Sequence, residues 1–211
     1  MEVERKDPEH AKEIRAINHA SDMGILSREE TAEHISALFG MDTDEFLAEQ
    51  NQVEVPNRQL LEYIAELKKD YKVALLSNIS SRERLSIRFV DGELESHFDT
   101  VVASGDEGYV KPQPEIYEIA ATRLGVSPTE CVMIDDIIEF CEGAKATGMQ
   151  AIQFQTNQQA TAELDALLQH FGGEGLGAPQ LVGVVGVEQD QRMQVAVAGM
   201  EHVRAAQAVL L

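Results

Sequence analysis

Four short apolar runs, at residues 73–76, 100–103, 131–134 and 150–154, alternate with stretches of helical periodicity. Each run is continuous and too brief for a buried helix, which is the pattern of strands covered on both faces of a parallel sheet. Helical stretches at 81–88, 114–124 and 140–147 lie between them. Pro114 suits the first turn of its helix, where a missing N–H leaves nothing unsatisfied. Strand and helix in strict alternation predict a doubly wound α/β sheet.

The chain ahead of these runs has a different rhythm. Ala11, Ile14, Ile17 and Ala20 sit at helical spacing, Gly24 breaks the pattern, and Ser27 with Glu30 forms a capping-box signature leading into Ile35, Leu38 and Phe39. A third short helix is expected over 42–50. Pro56 and Asn57 restart the chain, and Leu60, Leu61, Ile64 and Leu67 mark an amphipathic helix. The expected organisation is a small helical subdomain at 8–55 and an α/β core at 56–170. Beyond these lies a Gly-rich linker and tail at 171–211. Seven of the 15 glycines fall in 172–199, which sets that segment apart from the core. Within it, 181–187 reads as a strand and 195–211 as a short helix.

Charge narrows the function classes. The formal net charge of −20 repels nucleic-acid backbones and anionic lipid surfaces, so neither is an expected partner. An anionic substrate needs local help from a cation. Cys131 and Cys141 form no metal-type cluster, the six histidines lack metal-ligand spacing, and no run approaches a membrane span. No signal-peptide pattern opens the sequence. A cytoplasmic location is the expectation. Gly183-x-x-Gly186 lacks the dinucleotide-binding fingerprint.

In an open α/β sheet, ligands bind beyond the carboxyl ends of the strands. The run Val73-Ala74-Leu75-Leu76 ends in Ser77-Asn78, and Cys131-Val132-Met133-Ile134 ends in Asp135-Asp136. Adjacent carboxylates repel, and a hard divalent cation relieves that repulsion; Mg²⁺ takes one or two carboxylates together with waters and phosphate oxygens. Lys111, on a loop stiffened by Pro112 and Pro114, supplies a positive charge. The plainer alternatives are that Asp135 and Asp136 cap the next helix and that Lys111 is a solvated charge. Taken together, Ser77, Asn78 and Lys111 are candidates to bind a phosphoryl group, with Asp135 and Asp136 as candidate Mg²⁺ ligands.

These segments resemble the motifs of the haloacid dehalogenase (HAD) superfamily. Leu75-Leu76-Ser77-Asn78 is similar to its second motif, and 108–117, beginning Gly108-Tyr109-Val110-Lys111-Pro112, to its third. Val132-Met133-Ile134-Asp135-Asp136, with Gly143-Ala144 and Gly148-Met149 behind it, is similar to the fourth. The resemblance implies a Rossmann-like core with a small α-helical cap. It also implies Mg²⁺-dependent hydrolysis of a small phosphorylated metabolite through an aspartyl intermediate. In that reading Ser77 and Lys111 hold the transferring group, and Asp135 and Asp136 hold the metal.

One part of the pattern is not met. The family's first motif is a strand ending in Asp-x-Asp ahead of the cap, and 1–7 contains no such strand. The expectation is a truncated, weakly active or inactive enzyme of this lineage. The alternative is a non-catalytic relative that binds a phosphorylated ligand or a protein partner. Ile137 and Phe140 also stand where polar residues are common in the fourth motif. In the family the first strand lies mid-sheet, between those of motifs two and four, so its absence would leave two unpaired edges. The run 181–187 is a candidate to fill that slot, and Glu188-Gln189-Asp190 follows it with a carboxylate pair at the family's spacing.

Overall fold

The structure, a computed structural model, describes residues 8–53, 56–172 and 182–185. It opens with three helices, α1 (Pro8–Asp22), α2 (Arg28–Phe39) and α3 (Thr43–Val53). Glycine ends the first: Gly24 has φ +69°, a left-handed turn that other residues adopt at a cost. The capping box at α2 is present in both directions. Glu30 N–H donates to Ser27 Oγ at 3.1 Å, and Ser27 N–H donates to Glu30 Oε2 at 2.8 Å. Ile17, Ala32, Ile35 and Phe46 close over one another as a hydrophobic cluster separate from those of the sheet.

Next come α4 (Arg58–Leu67), capped by Asn57, and β1 (Val73–Ser77). The stretch expected as one helix over 81–88 is shorter, α5 (Arg82–Ser86), and a second short helix follows, α6 (Glu93–His97). Gly92 at φ +78° separates them. β2 (Thr100–Ala103) runs directly into one turn of helix, α7 (Ser104–Glu107). Then follow α8 (Pro114–Leu124), β3 (Cys131–Asp135), α9 (Ile138–Ala146), β4 (Gln150–Gln153), α10 (Asn157–Gly172) and β5 (Val182–Val185). α10 lies outside the helical stretches expected from the sequence, although Ala160 and Leu164, both buried, carry its spacing. The expected helix at 195–211 and the linker glycines from 173 onward lie outside the described residues.

The strand order is β2-β1-β5-β3-β4, all parallel. The central position therefore belongs to β5, the last strand among the described residues. Gly183 pairs with Val73 on one side and Val132 on the other, and Val185 pairs with Leu75 and Ile134. The edges of β1 and β3, which would otherwise present unpaired backbone groups, are satisfied by this one segment. Glu188 and Asp190 lie outside the described residues.

Side-chain alternation assigns each strand to two cores. Val73 and Leu75, with Val132 and Ile134, face Leu60, Leu61, Ile64 and Leu164 from α4 and α10. Ala74 and Leu76, with Cys131 and Met133, face Ile116, Tyr117, Ala120 and Leu124 of α8, and Ala144 of α9. Every residue of β1 and β3 is buried, which is why their sequences read as unbroken apolar runs. The polar ends of these two strands are thereby carried to one edge of the sheet.

Candidate active site

Ser77 is the last residue of β1, buried, and in register with Ala103 at the end of β2. Asp135 is the last residue of β3, also buried, and Asp136 follows it half-buried. Lys111 arrives from the loop between α7 and α8 with a side chain 0% exposed. Its Nζ donates to Asp135 Oδ2 at 2.8 Å and lies 3.5 Å from the carbonyl oxygen of Leu76, the residue before Ser77. The chain thus brings the serine, the lysine and the first carboxylate to one small region of the carboxyl edge.

The lysine is not a solvated charge. Its ammonium sits 4.8 Å from the centroid of the Phe140 ring, within range of a cation–π contact. Phe140, which the sequence presents only as a departure from the expected polar pattern, is part of the lysine's surroundings. Asp135 divides its two oxygens: Oδ2 takes the ammonium, and Oδ1 accepts the Ile137 N–H at 2.9 Å, one residue ahead of α9. The capping alternative is therefore satisfied in part, by one oxygen of one aspartate. Burial pushes the Asp135 carboxyl up to about 6, while the Lys111 charge and hydrogen bond and the Ile137 N–H pull it down and the Asp136 charge adds to the rise. Cys141 beneath it is pushed up to about 11, by burial first and then by the Asp135 charge.

The loop carrying Lys111 is fastened at several points. Asn78 Oδ1 accepts the Lys111 N–H at 2.8 Å, and Asn78 Nδ2 donates to the Lys111 carbonyl at 3.1 Å. The Lys111–Pro112 peptide is cis. Gly143 of α9 lies against Pro112 so closely that a Cβ there would stand 2.7 Å from the proline Cβ and 2.8 Å from its carbonyl oxygen. Tyr117 of α8 donates its hydroxyl to the Phe140 carbonyl at 2.8 Å, tying α8 to α9 behind the loop. A glycine in a helix interior costs about 1 kcal/mol relative to alanine, and the close approach of Pro112 is the reason one stands at 143.

The helical subdomain touches the same rim. Buried Ser104, at the start of α7, donates to the Asp22 carbonyl of α1 and accepts the Ile79 N–H at 2.9 Å. Gly24 approaches Gly105 so closely that a Cβ on it would be 2.7 Å from the Gly105 oxygen. Nothing in the sequence pattern marks Ser104; the contact joins residues 82 apart in the chain.

The donor set fits a hard cation. Asp135 ends β3 and Asp136 follows it, and the burial that raises Asp135 favours a positive charge beside it. Among the described residues no group of three or more His, Cys, Asp or Glu side chains is arranged to hold a metal by itself.

The family profile of haloacid dehalogenase-like hydrolases matches residues 5–148. The chain belongs to this family. Among curated proteins, it is 34% identical over 112 residues to the phosphatase MT3486 of Mycobacterium tuberculosis, covering 49% of this chain and 50% of that protein. It is 33% identical over 89 residues to the human N-acylneuraminate-9-phosphatase, covering 42% of this chain and 36% of the other. The chain thus spans half or less of these relatives. A HAD family enzyme from Bacteroides thetaiotaomicron superimposes with a TM-score of 0.64 at 21% identity, over 76% of this chain and 82% of that one. That enzyme has also been solved, as a mutant, in complex with magnesium and inorganic phosphate. The HAD-like fold is thereby shown: a Rossmann-like parallel sheet between helices, with phosphatases among the relatives. No helix of the described residues is long and apolar enough to cross a membrane.

Proposed function

We propose that this site holds the phosphoryl group of a small phosphorylated metabolite together with Mg²⁺, in the manner of a HAD-type phosphatase. The observation that carries the reading is the buried contact of Lys111 Nζ with Asp135 Oδ2, with the same Nζ 3.5 Å from the carbonyl of Leu76, the residue before Ser77. In this reading an ammonium, a hydroxyl and two carboxylates stand at one edge of the sheet, the kinds of group that hold a phosphoryl anion beside a metal ion. In this reading Ser77 donates its hydroxyl to a phosphoryl oxygen and Lys111 neutralises charge on the same group. Asp135 and Asp136 hold the Mg²⁺, which when bound supplies charge stabilisation to the phosphoryl oxygens. Residues 8–55 act as the cap and residues 56–170 as the core, with Ser104 and Gly24 at their junction.

The family reaction also needs an aspartate nucleophile and an aspartate acid–base two residues on, and the residues gathered here do not include that pair. Loss of a covalent nucleophile costs on the order of 10⁴ to 10⁶ in rate. The test is Mg²⁺-dependent hydrolysis of an aryl phosphate beside direct binding of orthophosphate. Measurable binding with turnover near background is expected. Robust turnover abolished by Asp190→Asn would contradict the missing nucleophile and assign that role to the segment after β5.

A second reading has the same support up to the chemical step: a non-catalytic protein that binds a phosphorylated ligand through Ser77, Lys111 and the Asp135–Asp136 pair. Ligand binding that persists with no turnover toward any phosphate monoester favours it.

A further inference from the structure

We propose that Asn78 is a positioning residue that acts through Lys111, gripping the lysine's backbone so that its ammonium is held at the phosphoryl site. The functional meaning of this inference rests on the reading above. Both polar atoms of the Asn78 carboxamide are committed to a single residue: Oδ1 accepts the Lys111 N–H at 2.8 Å, and Nδ2 donates to the Lys111 carbonyl at 3.1 Å. A planar amide bonded in this way to both backbone groups of one residue fixes the position and the orientation of that residue together.

The need for such a grip follows from where Lys111 sits. It belongs to neither α7 nor α8 and has no strand ladder to satisfy its backbone, yet it is 2% exposed. Buried N–H and C=O groups require partners, and Asn78 supplies one for each. The flexible four-carbon stem of a lysine points reliably only if its root is fixed. Asn78 fixes that root from the residue adjoining Ser77, so the hydroxyl and the ammonium are referenced to the same strand end, although Lys111 is 33 residues further along the chain. Two other fastenings act on the far side of the loop. Val110 N–H donates to Gln113 Oε1 at 2.8 Å, and Pro112 packs against Gly143. Neither ties Lys111 to β1.

This role differs from that of a direct ligand to the anion. A carboxamide that donates to the phosphoryl group contributes independently of the lysine. One that acts through the lysine contributes nothing once the ammonium is gone.

The experiment has two readouts on the full chain. The first is the rate of Lys111 acetylation by trace acetic anhydride, measured by mass spectrometry relative to Lys145. Asn78→Ala is expected to raise that ratio by about tenfold, the order of effect of losing two neutral hydrogen bonds. An unchanged ratio overturns the inference whatever else is found. The second is orthophosphate affinity in the presence of Mg²⁺. Asn78→Ala should weaken it by about tenfold in the parent chain and leave it unaltered in a Lys111→Met background. Equal losses in both backgrounds would make Asn78 a direct ligand and overturn the positioning role. If the parent chain binds no orthophosphate while Asn78→Ala still exposes Lys111, the proposed function falls and the grip on Lys111 stands. Should Asn78→Ala fail to fold, Asn78→Asp keeps the acceptor and loses the donor. It must still raise Lys111 acetylation, and no rise overturns the inference.

Discussion

Lys111 Nζ stands 2.8 Å from Asp135 Oδ2, with the two side chains 0% and 1% exposed. The pair comes from a loop and a strand end 24 residues apart. Two charges brought out of water are stable together and unstable separately, because whichever remains is left uncompensated in a low-dielectric interior.

Removing one partner should therefore cost more than removing both. Lys111→Met is expected to destabilise the chain by about 3–5 kcal/mol at neutral pH. The combined Lys111→Met, Asp135→Asn chain should regain a substantial part of that loss. Urea unfolding of the three chains gives the coupling directly, and strictly additive effects would show that the pair is not buried as described.

Gly143→Ala sets two effects against each other. Alanine is the better helix former by about 1 kcal/mol, so in an exposed helix this change stabilises. Here the added Cβ would meet Pro112 Cβ at 2.7 Å and its carbonyl oxygen at 2.8 Å, with the Tyr117 hydroxyl at 2.9 Å. Backbone cannot yield as a side-chain tip does, so the net expectation is a loss of about 1–3 kcal/mol. A chain with unchanged or higher thermal midpoint would mean that α9 stands further from the lysine loop.

How much of this was legible in the sequence follows from what each feature depends on. The strands of Val73–Ser77 and Cys131–Asp135 were readable because burial on both faces leaves unbroken apolar runs, and their polar ends marked the edge where Ser77 and Asp135 meet Lys111. The capping box at Ser27 and Glu30 was readable because it is local. The division at Gly92, the Asn78 grip and the Ser104 contact were not, since each depends on a three-dimensional neighbour rather than on spacing. Phe140 shows in the sequence only as an aromatic residue where a polar one is common, and its contact with the Lys111 ammonium depends on a three-dimensional neighbour in the same way.

The two cysteines should be inert in the folded chain. Burial, with a smaller push from Glu130, raises the Cys131 thiol to about 12, and burial with the Asp135 charge raises Cys141 to about 11. Both folded values exceed the ordinary value of 9.0, so the folded state holds these protons more tightly. Stability from this source is fully present below pH about 9 and falls as pH rises toward 11 to 12. Native alkylation by iodoacetamide at pH 8 should be negligible at both sites and complete in denaturant. Fast labelling of either in the native chain would place it at the surface.

The position of β5 between β1 and β3 predicts a strong dependence of the sheet on a segment far along the chain. Val184→Pro removes a ladder N–H and introduces a ring into a central strand, a position proline does not occupy. The expected result is loss of about 3 kcal/mol or more, or failure to fold. Thermal denaturation followed by circular dichroism measures it, and an unchanged midpoint would mean that β1 and β3 are joined some other way.

In the proposed function the edge formed by Ser77, Lys111 and Asp135 grips a metal-associated phosphoryl anion. Calorimetric titration of the full chain with orthophosphate, with and without Mg²⁺, tests it most directly. Binding should require Mg²⁺, be lost in Asp135→Asn and weaken in Ser77→Ala by about tenfold, as expected for one hydrogen bond to a charged group. Absence of binding under both conditions, or binding indifferent to Mg²⁺ and to both substitutions, would contradict it.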